Sequence, residues 1–177
     1  MQKIFDKILF LKDKYQSNIV FDTRLLKQND IFIGIGDGSK NGGLYYKEAL
    51  KKGSRLLIIN NKIINHEYII HTKNIQSFIK KFCKYLLSKY KGKVIAITGS
   101  VGKTTIKENI YNILSKNNFS VSRSYKNYNN LLGLQFSIMN INLQNQYSIF
   151  ELGINHPGEM KDLIKTLNPH YCLVTCI

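Results

Sequence analysis

Apolar positions in the second half of the chain alternate between short continuous runs and stretches with helical spacing. The continuous runs contain many β-branched residues, as buried strands do, and the stretches between them place apolar residues three or four positions apart. Strands and helices in alternation favour a parallel sheet with helices on its faces. The pattern predicts strands at Val94–Ile97, Phe119–Ser122, Tyr147–Leu152 and Tyr171–Cys176, and helices at Thr104–Lys116, Leu131–Met139 and from Pro157 to Leu167.

The first half carries a shorter version of the same pattern. Asn74 has the side chain of a helix cap, and the apolar residues after it keep helical spacing as far as Leu86. A long helix is therefore predicted to lead into the second half. The other predicted elements are strands at Ile19–Phe21, Asp30–Ile35, Leu56–Ile59 and Tyr68–Ile70, and a helix at Leu44–Lys52.

The two halves join near Tyr90–Lys93. We therefore expect an α/β chain with a small amino-terminal α/β domain at residues 1–90 and a parallel-sheet domain at residues 91–177. The chain stops at its last predicted strand. Because a parallel sheet needs both faces and its neighbouring strands covered, we expect the second domain to be incomplete.

The formal net charge of +15 has two explanations. One is a nucleic-acid or membrane-surface partner, and the other is a lysine-rich surface without such a partner. The lysines are spread along the chain, and arginine, the usual reader of base edges, is scarce, so we expect no nucleic-acid partner. No apolar run approaches the length of a membrane span, and the three cysteines show no paired spacing. We expect a cytoplasmic protein without membrane insertion, whose cysteines are buried.

The segment Thr98–Thr105 has the composition of a phosphate-binding loop between a strand and a helix. Gly99 and Gly102 allow the backbone to bend closely around an anion, and the start of the following helix offers backbone amides and a positive dipole end. Lys103 would reach the terminal phosphates of ATP, and the Thr104 hydroxyl would hold Mg²⁺. The predicted ATP phosphate-binding residues are Gly99, Ser100, Val101, Gly102, Lys103, Thr104 and Thr105.

The general phosphate-loop pattern fits this segment imperfectly, because Ile97 stands where the first glycine is expected. An ordinary turn that caps a helix is therefore the alternative. Glu151 adds a second observation, since it ends a predicted strand and should emerge at the sheet edge where phosphate loops lie. A carboxylate there can take Mg²⁺, and its alternative is a solvated glutamate at a strand end. Beside Lys103 and Thr104 we favour the metal role for Glu151.

Four separated segments together resemble the Mur ligase family of ATP-dependent amide ligases. The loop is similar to the family's variant phosphate loop, whose first glycine sits later than in the general pattern. The resemblance covers nearly the whole chain. The segments that carry it are Thr98–Thr105; Asn127–Asn130 with Gly133; Glu151–Glu159; and Asp22–Arg24 followed by Asn29–Phe32.

This resemblance implies a fold of three domains, of which the chain contains a UDP-sugar-binding domain and about half of a central ATPase domain. It implies that ATP phosphorylates a substrate carboxylate and that an amine then attacks the acyl phosphate, giving an amide, ADP and phosphate. The branch of the family that the chain resembles most adds D-alanyl-D-alanine to UDP-N-acetylmuramoyl-tripeptide in peptidoglycan precursor synthesis.

The resemblance also implies roles for individual residues. Lys103 and Glu151 would be the catalytic residues: Lys103 would neutralise phosphate charge, and Glu151 would hold Mg²⁺ together with Thr104. The implied substrate-binding residues are Thr23 and Arg24 at the uridine diphosphate, Asn127, Asn129 and Asn130 at the reacting phosphate and carboxylate, and His156 near the metal or the substrate.

The remaining parts of such a ligase would lie beyond Ile177. We therefore expect that this chain does not catalyse ligation by itself. A separate chain that supplies the missing domains is one possibility, and a stand-alone or degenerate ATP-binding module without ligase activity is the alternative.

Overall fold

The computed structural model describes residues 1–36, 41–60, 66–124, 128–154 and 158–176. The chain forms two compact units, Met1–Phe82 and Cys83–Ile177. The domain boundary near residue 90 stays a prediction. Each unit contains one four-stranded parallel sheet, which confirms the α/β fold class.

The first unit is built on a sheet with the strand order β1-β2-β3-β4. The runs that form these strands are apolar, and β1, β2 and β3 are buried along their whole length. Short 3₁₀ turns follow β1 and precede α2. The elements are α1 (Gln2–Tyr15), β1 (Ile19–Val20), β2 (Ile31–Ile33), α2 (Tyr46–Lys51), β3 (Leu56–Ile59), β4 (Ile69–His71) and α3 (Ile75–Lys89), which leads into the second unit.

The helix α1 is an element that the sequence analysis does not predict. Its buried residues Phe5, Ile8 and Leu11 lie three positions apart on one face. Phe5 packs edge-on against Phe78 of α3, with ring centroids 5.4 Å apart. Asn74 caps α3 as predicted, since its side-chain oxygen accepts a hydrogen bond from the Ser77 amide at 2.8 Å.

The second unit is built on a sheet with the order β6-β7-β5-β8. Its elements are β5 (Lys93–Thr98), α4 (Lys103–Lys116), β6 (Val121–Arg123), α5 (Leu131–Met139), β7 (Tyr147–Glu151), α6 (Glu159–Leu167) and β8 (Tyr171–Val174). The central strand β5 pairs with β7 and β8, and its buried residues Ile95 and Ile97 pack with Ile149 against apolar residues of α4. The turn after β5, where the sequence predicts a phosphate loop, therefore leaves the sheet from an inner strand.

Two predicted strands of the second unit differ from the observed ones by two residues at one end. The strand predicted at Phe119–Ser122 begins two residues later, and the strand predicted at Tyr171–Cys176 ends at Val174. Strand β8 is an edge strand, and all four of its residues are exposed.

The expectation of three buried cysteines is wrong for two of them. Cys83 is buried, but Cys172 and Cys176 are exposed, because the strand β8 and the turn after it lie at an uncovered edge of the sheet. Among the described residues, no helix is long and apolar enough to cross a membrane.

Candidate functional site

The turn between β5 and α4 has a backbone that depends on two glycines. Gly99 has φ +135° and Gly102 has φ +83°, values that residues with a side chain rarely adopt. A Cβ at Gly99 would overlap the Thr175 hydroxyl and would lie 2.9 Å from both the backbone nitrogen and oxygen of Cys176. Only glycine fits this position without a shift of the backbone.

The residues after β8 fasten this turn from the side. The Thr175 amide donates to the Thr98 carbonyl at 2.9 Å, and the Ser100 amide donates to the Cys176 carbonyl at 2.9 Å. The Thr175 hydroxyl also donates to the Val101 carbonyl. The Ser100 amide thus serves to hold the turn in this structure, which leaves the start of α4 as the main source of amides for an anion.

The start of α4 forms the other side of the turn. The first hydrogen bond inside the helix runs from the Ile106 amide to the Gly102 carbonyl at 2.9 Å, so the amides of the preceding helical residues have no carbonyl one turn back to pair with. The Lys103 ammonium folds over the turn and donates to the carbonyls of Gly99 at 2.6 Å and Ser100 at 3.2 Å. Amides, dipole and ammonium converge as an anion site requires.

Glu151 lies across from this turn, at the end of β7. Its backbone pairs with Ile97 of β5, and its side chain is 3% exposed. The Thr104 hydroxyl donates to Glu151 Oε2 at 2.9 Å, and the Asn129 amide donates to Oε1 at 3.5 Å. The structure therefore brings the carboxylate and the loop together, as the strand-end position of Glu151 predicts.

Lys107 is a member of this cluster that the sequence analysis missed. It is 1% exposed, and its ammonium lies 3.3 Å from Glu151 Oε2 and 3.7 Å from Glu108 Oε1. The available signal was its position four residues after Lys103, which puts both on one face of α4. That spacing alone does not reveal that the face is buried.

A cleft of about 460 Å³ opens beside the turn. Thr98, Ser100, Lys103 and Asn129 supply polar atoms to its wall, and Met160 supplies an apolar one. This volume and lining are typical of a small-molecule site.

The asparagines predicted to bind substrate are placed differently from one another. Asn129 lines the cleft and packs closely against Gly153, whose amide donates to the Asn129 carbonyl at 2.9 Å. The Asn130 side chain caps α5 by accepting a hydrogen bond from the Gly133 amide at 2.8 Å. Asn127 and His156 lie outside the described residues.

Thr23 and Arg24 belong to the first unit, in the 3₁₀ turn after β1. The Arg24 side chain is 85% exposed and pairs with Asp22 at 2.6 Å. The hydrogen bond from Arg24 lowers the pKa of Asp22 from 3.8 to about 2. Thr23 is buried, and its carbonyl accepts a hydrogen bond from the Lys52 ammonium at 2.8 Å. The Arg24 guanidinium is exposed to solvent, so an anionic group can reach it.

The residues at the loop fit a magnesium ion. The Thr104 hydroxyl uses its proton in the bond to Glu151, so its oxygen keeps lone pairs for a cation. Mg²⁺ prefers oxygen ligands and is usually bound by one or two carboxylates together with substrate phosphates. No group of three or more His, Cys, Asp or Glu side chains that could hold a metal occurs within the described ranges.

The known proteins that the sequence resembles are Mur ligases. The family model for the Mur ligase middle domain matches residues 97–177. The UDP-N-acetylmuramoyl-tripeptide–D-alanyl-D-alanine ligase of Rickettsia prowazekii is 36% identical over 163 residues, which are 91% of this chain and 36% of that protein. The ligase of the same name from Treponema pallidum is 30% identical over 172 residues, 89% of this chain and 37% of that protein.

Solved structures agree with the sequence comparisons. The MurF ligase of Thermotoga maritima in complex with ADP is 28% identical with a TM-score of 0.75, over 91% of this chain and 38% of that one. MurF of Acinetobacter baumannii is 25% identical with a TM-score of 0.78, over 93% of this chain and 39% of that one. The chain therefore spans well under half the length of the relatives that it matches.

Proposed function

Because the chain belongs to the Mur ligase family, we propose that it binds Mg²⁺–ATP at the turn between β5 and α4 and is the nucleotide-binding part of an amide ligase. The amide formed in the proposed reaction joins D-alanyl-D-alanine to UDP-N-acetylmuramoyl-tripeptide, a step of peptidoglycan precursor synthesis. Two relatives at 36% and 30% identity carry the name of this activity, and one similar structure holds ADP.

One observation carries the proposal. The Thr104 hydroxyl and the buried Glu151 carboxylate are joined at 2.9 Å, and the cleft that Lys103 lines lies beside the same turn. A hydroxyl at the start of the helix and a carboxylate at the end of the neighbouring strand are protein ligands that suit Mg²⁺ bound to nucleotide phosphates. The alternative, an ordinary turn that caps a helix, does not explain the buried carboxylate. The residue before the helix is Gly102, and Glu151 belongs to a neighbouring strand.

In the proposed reaction this chain supplies position and charge. Lys103 would exchange its bonds to the Gly99 and Ser100 carbonyls for the terminal phosphates, and the amides at the start of α4 would hold the phosphate oxygens. Bound Mg²⁺ would supply further neutralisation of phosphate charge. The substrate carboxylate attacks the γ-phosphorus and releases ADP. The amine then attacks the acyl phosphate, and phosphate leaves as the amide forms.

The substrate roles follow the same family pattern. We propose that Thr23 and Arg24 contact the uridine diphosphate, and that Asn127, Asn129 and His156 stand at the reacting groups. For Asn130 the bond to the Gly133 amide supports an indirect role, in which it holds the start of α5. The groups that bind D-alanyl-D-alanine would come from a further part of the ligase, in the same polypeptide or in a separate chain. We also propose a cytoplasmic location, where ATP is available.

Thermal unfolding with and without Mg²⁺–ATP tests nucleotide binding. A ligand at a hundredfold excess over its Kd stabilises the native state by about 2.7 kcal/mol, so Tm should rise. Lys103→Ala should abolish the rise. Lys116→Ala, which removes an exposed lysine from the last turn of the same helix, is the matched control and should keep it. If neither ATP nor ADP changes the Tm of the unaltered chain, the proposal fails.

A second candidate is an ATP-binding module without ligase activity. It is favoured by the location of the turn, Glu151 and the described cleft within one unit, Cys83–Ile177. An amide-forming assay with ATP, UDP-N-acetylmuramoyl-tripeptide and D-alanyl-D-alanine separates the two. We expect no product from this chain alone, and product after addition of the remaining part of a ligase supports the first function. Product from the chain alone would contradict our expectation.

A further inference from the structure

Lys107 is a buried cation at the place where the proposed metal ion would bind. Its side chain is 1% exposed, and its ammonium is 3.3 Å from Glu151 Oε2. Burial of a charged group costs several kcal/mol, and apolar residues of similar size often stabilise such a position as well or better. Packing alone therefore does not explain a lysine at this position.

The charges around Glu151 cancel one another. Glu151 Oε2 accepts hydrogen bonds from Thr104 and Lys107. The second carboxylate near Lys107 belongs to Glu108, which is itself paired with Arg123 at 2.9 Å. The cluster thus holds two carboxylates and two basic side chains.

Lys103 adds a further positive charge at the cleft. A divalent cation near Glu151 therefore meets a neutral to positive environment. Electrostatic repulsion between like charges a few ångströms apart is strong in a partly buried site, and Mg²⁺ gives up its water reluctantly. The phosphates of a nucleotide would make the surroundings of the cation negative, because they bring several negative charges to it.

We propose that Lys107 is a positioning residue that makes Mg²⁺ binding conditional on the nucleotide. Its ammonium serves as the counter-charge of Glu151 when no nucleotide is present and prevents Mg²⁺ from binding alone. The metal then enters together with ATP. This inference rests on the proposed function, since it assumes that Glu151 faces the magnesium ion of bound Mg²⁺–ATP.

Binding of Mg²⁺ without nucleotide tests the inference. Calorimetric titration with MgCl₂ compares the unaltered chain, Lys107→Met and the control Lys116→Met, which removes one lysine charge elsewhere on α4. We expect weak binding to the unaltered chain and the control, and binding to Lys107→Met that is tighter by about tenfold or more. Equal binding by all three would overturn the inference.

Stability measurements separate this role from packing. Lys107→Met removes the ammonium beside the buried Glu151 charge, so we expect a lower Tm that Mg²⁺ alone restores, whereas Mg²⁺ alone should not change the Tm of the unaltered chain. Lys107→Arg keeps the charge and should remain insensitive to Mg²⁺ alone. A Lys107→Met chain that stays unfolded at saturating Mg²⁺, or a Lys107→Arg chain that responds like Lys107→Met, would show a merely structural role.

The two proposals fail in different ways. If Mg²⁺–ATP does not raise the Tm of the unaltered chain, the proposed function is wrong. If Mg²⁺–ATP raises it but Lys107→Met gains no affinity for Mg²⁺ alone, only the role of Lys107 is wrong. The double variant Lys107→Met/Glu151→Gln removes both charges and should lose the response to Mg²⁺ alone, which identifies Glu151 as the group that the metal meets.

Discussion

Each unit has an ion pair at or just after the end of a strand in its four-stranded parallel sheet. The pair is exposed in the first unit and buried in the second. In the first unit, Asp22 and Arg24 follow β1 and form an ion pair whose side chains are 35% and 85% exposed. In the second unit, Glu151 ends β7 and pairs with Lys107, and these side chains are 3% and 1% exposed. Exposed ion pairs contribute little to stability, whereas loss of one partner from a buried pair is costly.

The cause of the difference is the element that covers each site. In the second unit the helix α4 packs over the sheet and carries Thr104 and Lys107 onto Glu151. In the first unit Arg24 belongs to a three-residue 3₁₀ turn, Asp22 is the residue before that turn, and the Arg24 side chain is exposed. The same strand-end position thus gives a rigid, buried charge cluster in one unit and an accessible guanidinium in the other.

The largest expected effect is that of Glu151→Ala. It removes the carboxylate that lies 3.3 Å from the buried Lys107 ammonium, and we expect the free energy of unfolding to fall by about 3–5 kcal/mol. Urea denaturation measures the loss. Asp22→Ala, the matched change in the exposed pair, should shift the urea midpoint only slightly, and a similar loss in both variants would remove the distinction between the units.

Glycine substitutions should give the next effect. Gly99→Ala combines φ +135° with an overlap at Thr175, and we expect a loss of about 3 kcal/mol. Gly53 of the first unit has φ +77° and faces the flexible Gln28 side chain at 3.2 Å, so Gly53→Ala should cost only about 1 kcal/mol. Urea denaturation of both variants checks the order, and a larger loss for Gly53→Ala would contradict it.

Thiol reactivity should distinguish buried from exposed positions within the second unit. Burial raises the pKa of the Cys83 thiol to about 12, and the thiolate is the reactive form. We expect an aromatic disulfide reagent to label Cys172 and Cys176 in the native protein and Cys83 only after unfolding. Cys172→Ser should remove one fast-reacting thiol, and rapid labelling of Cys83 in the native state would contradict its burial.

The smallest expected effect concerns the pKa of Asp22. Arg24 lowers it to about 2 in the folded chain, so the pair contributes stability above the ordinary pKa of 3.8, and this contribution is lost as the pH falls toward 2. Titration of the Asp22 carboxyl by NMR measures the pKa. Arg24→Gln should raise the pKa toward 3.8, with little change in Tm, whereas an unchanged pKa would mean that Arg24 is not its cause.

Much of the second unit could be predicted from the sequence because strand and helix patterns there are regular. The helix Leu131–Met139 has the predicted bounds. The approach of Glu151 to the loop was also predictable, because carboxyl ends of neighbouring parallel strands meet at one edge.

Three features could not be predicted in the same way. Lysines usually lie on the exposed face of a helix, so the burial of Lys107 depends on packing against the sheet. Many lysines are interspersed among the apolar residues of the first fifteen positions, so the apolar face of α1 was not recognised in the sequence. Asparagine suits both a helix cap and a ligand contact, and the sequence does not tell which of these Asn130 makes.

The bonds from Thr175 to Thr98 have a consequence for the order of folding. The two residues are 77 positions apart in the chain, and contacts between such distant segments form only after the entropy of closing the intervening loop has been overcome. The turn at Gly99 takes its final shape against Thr175 and Cys176. During synthesis on the ribosome, the turn of the proposed ATP site should therefore be among the last parts of this unit to reach its final structure, even though residues 98–105 are synthesised well before Thr175.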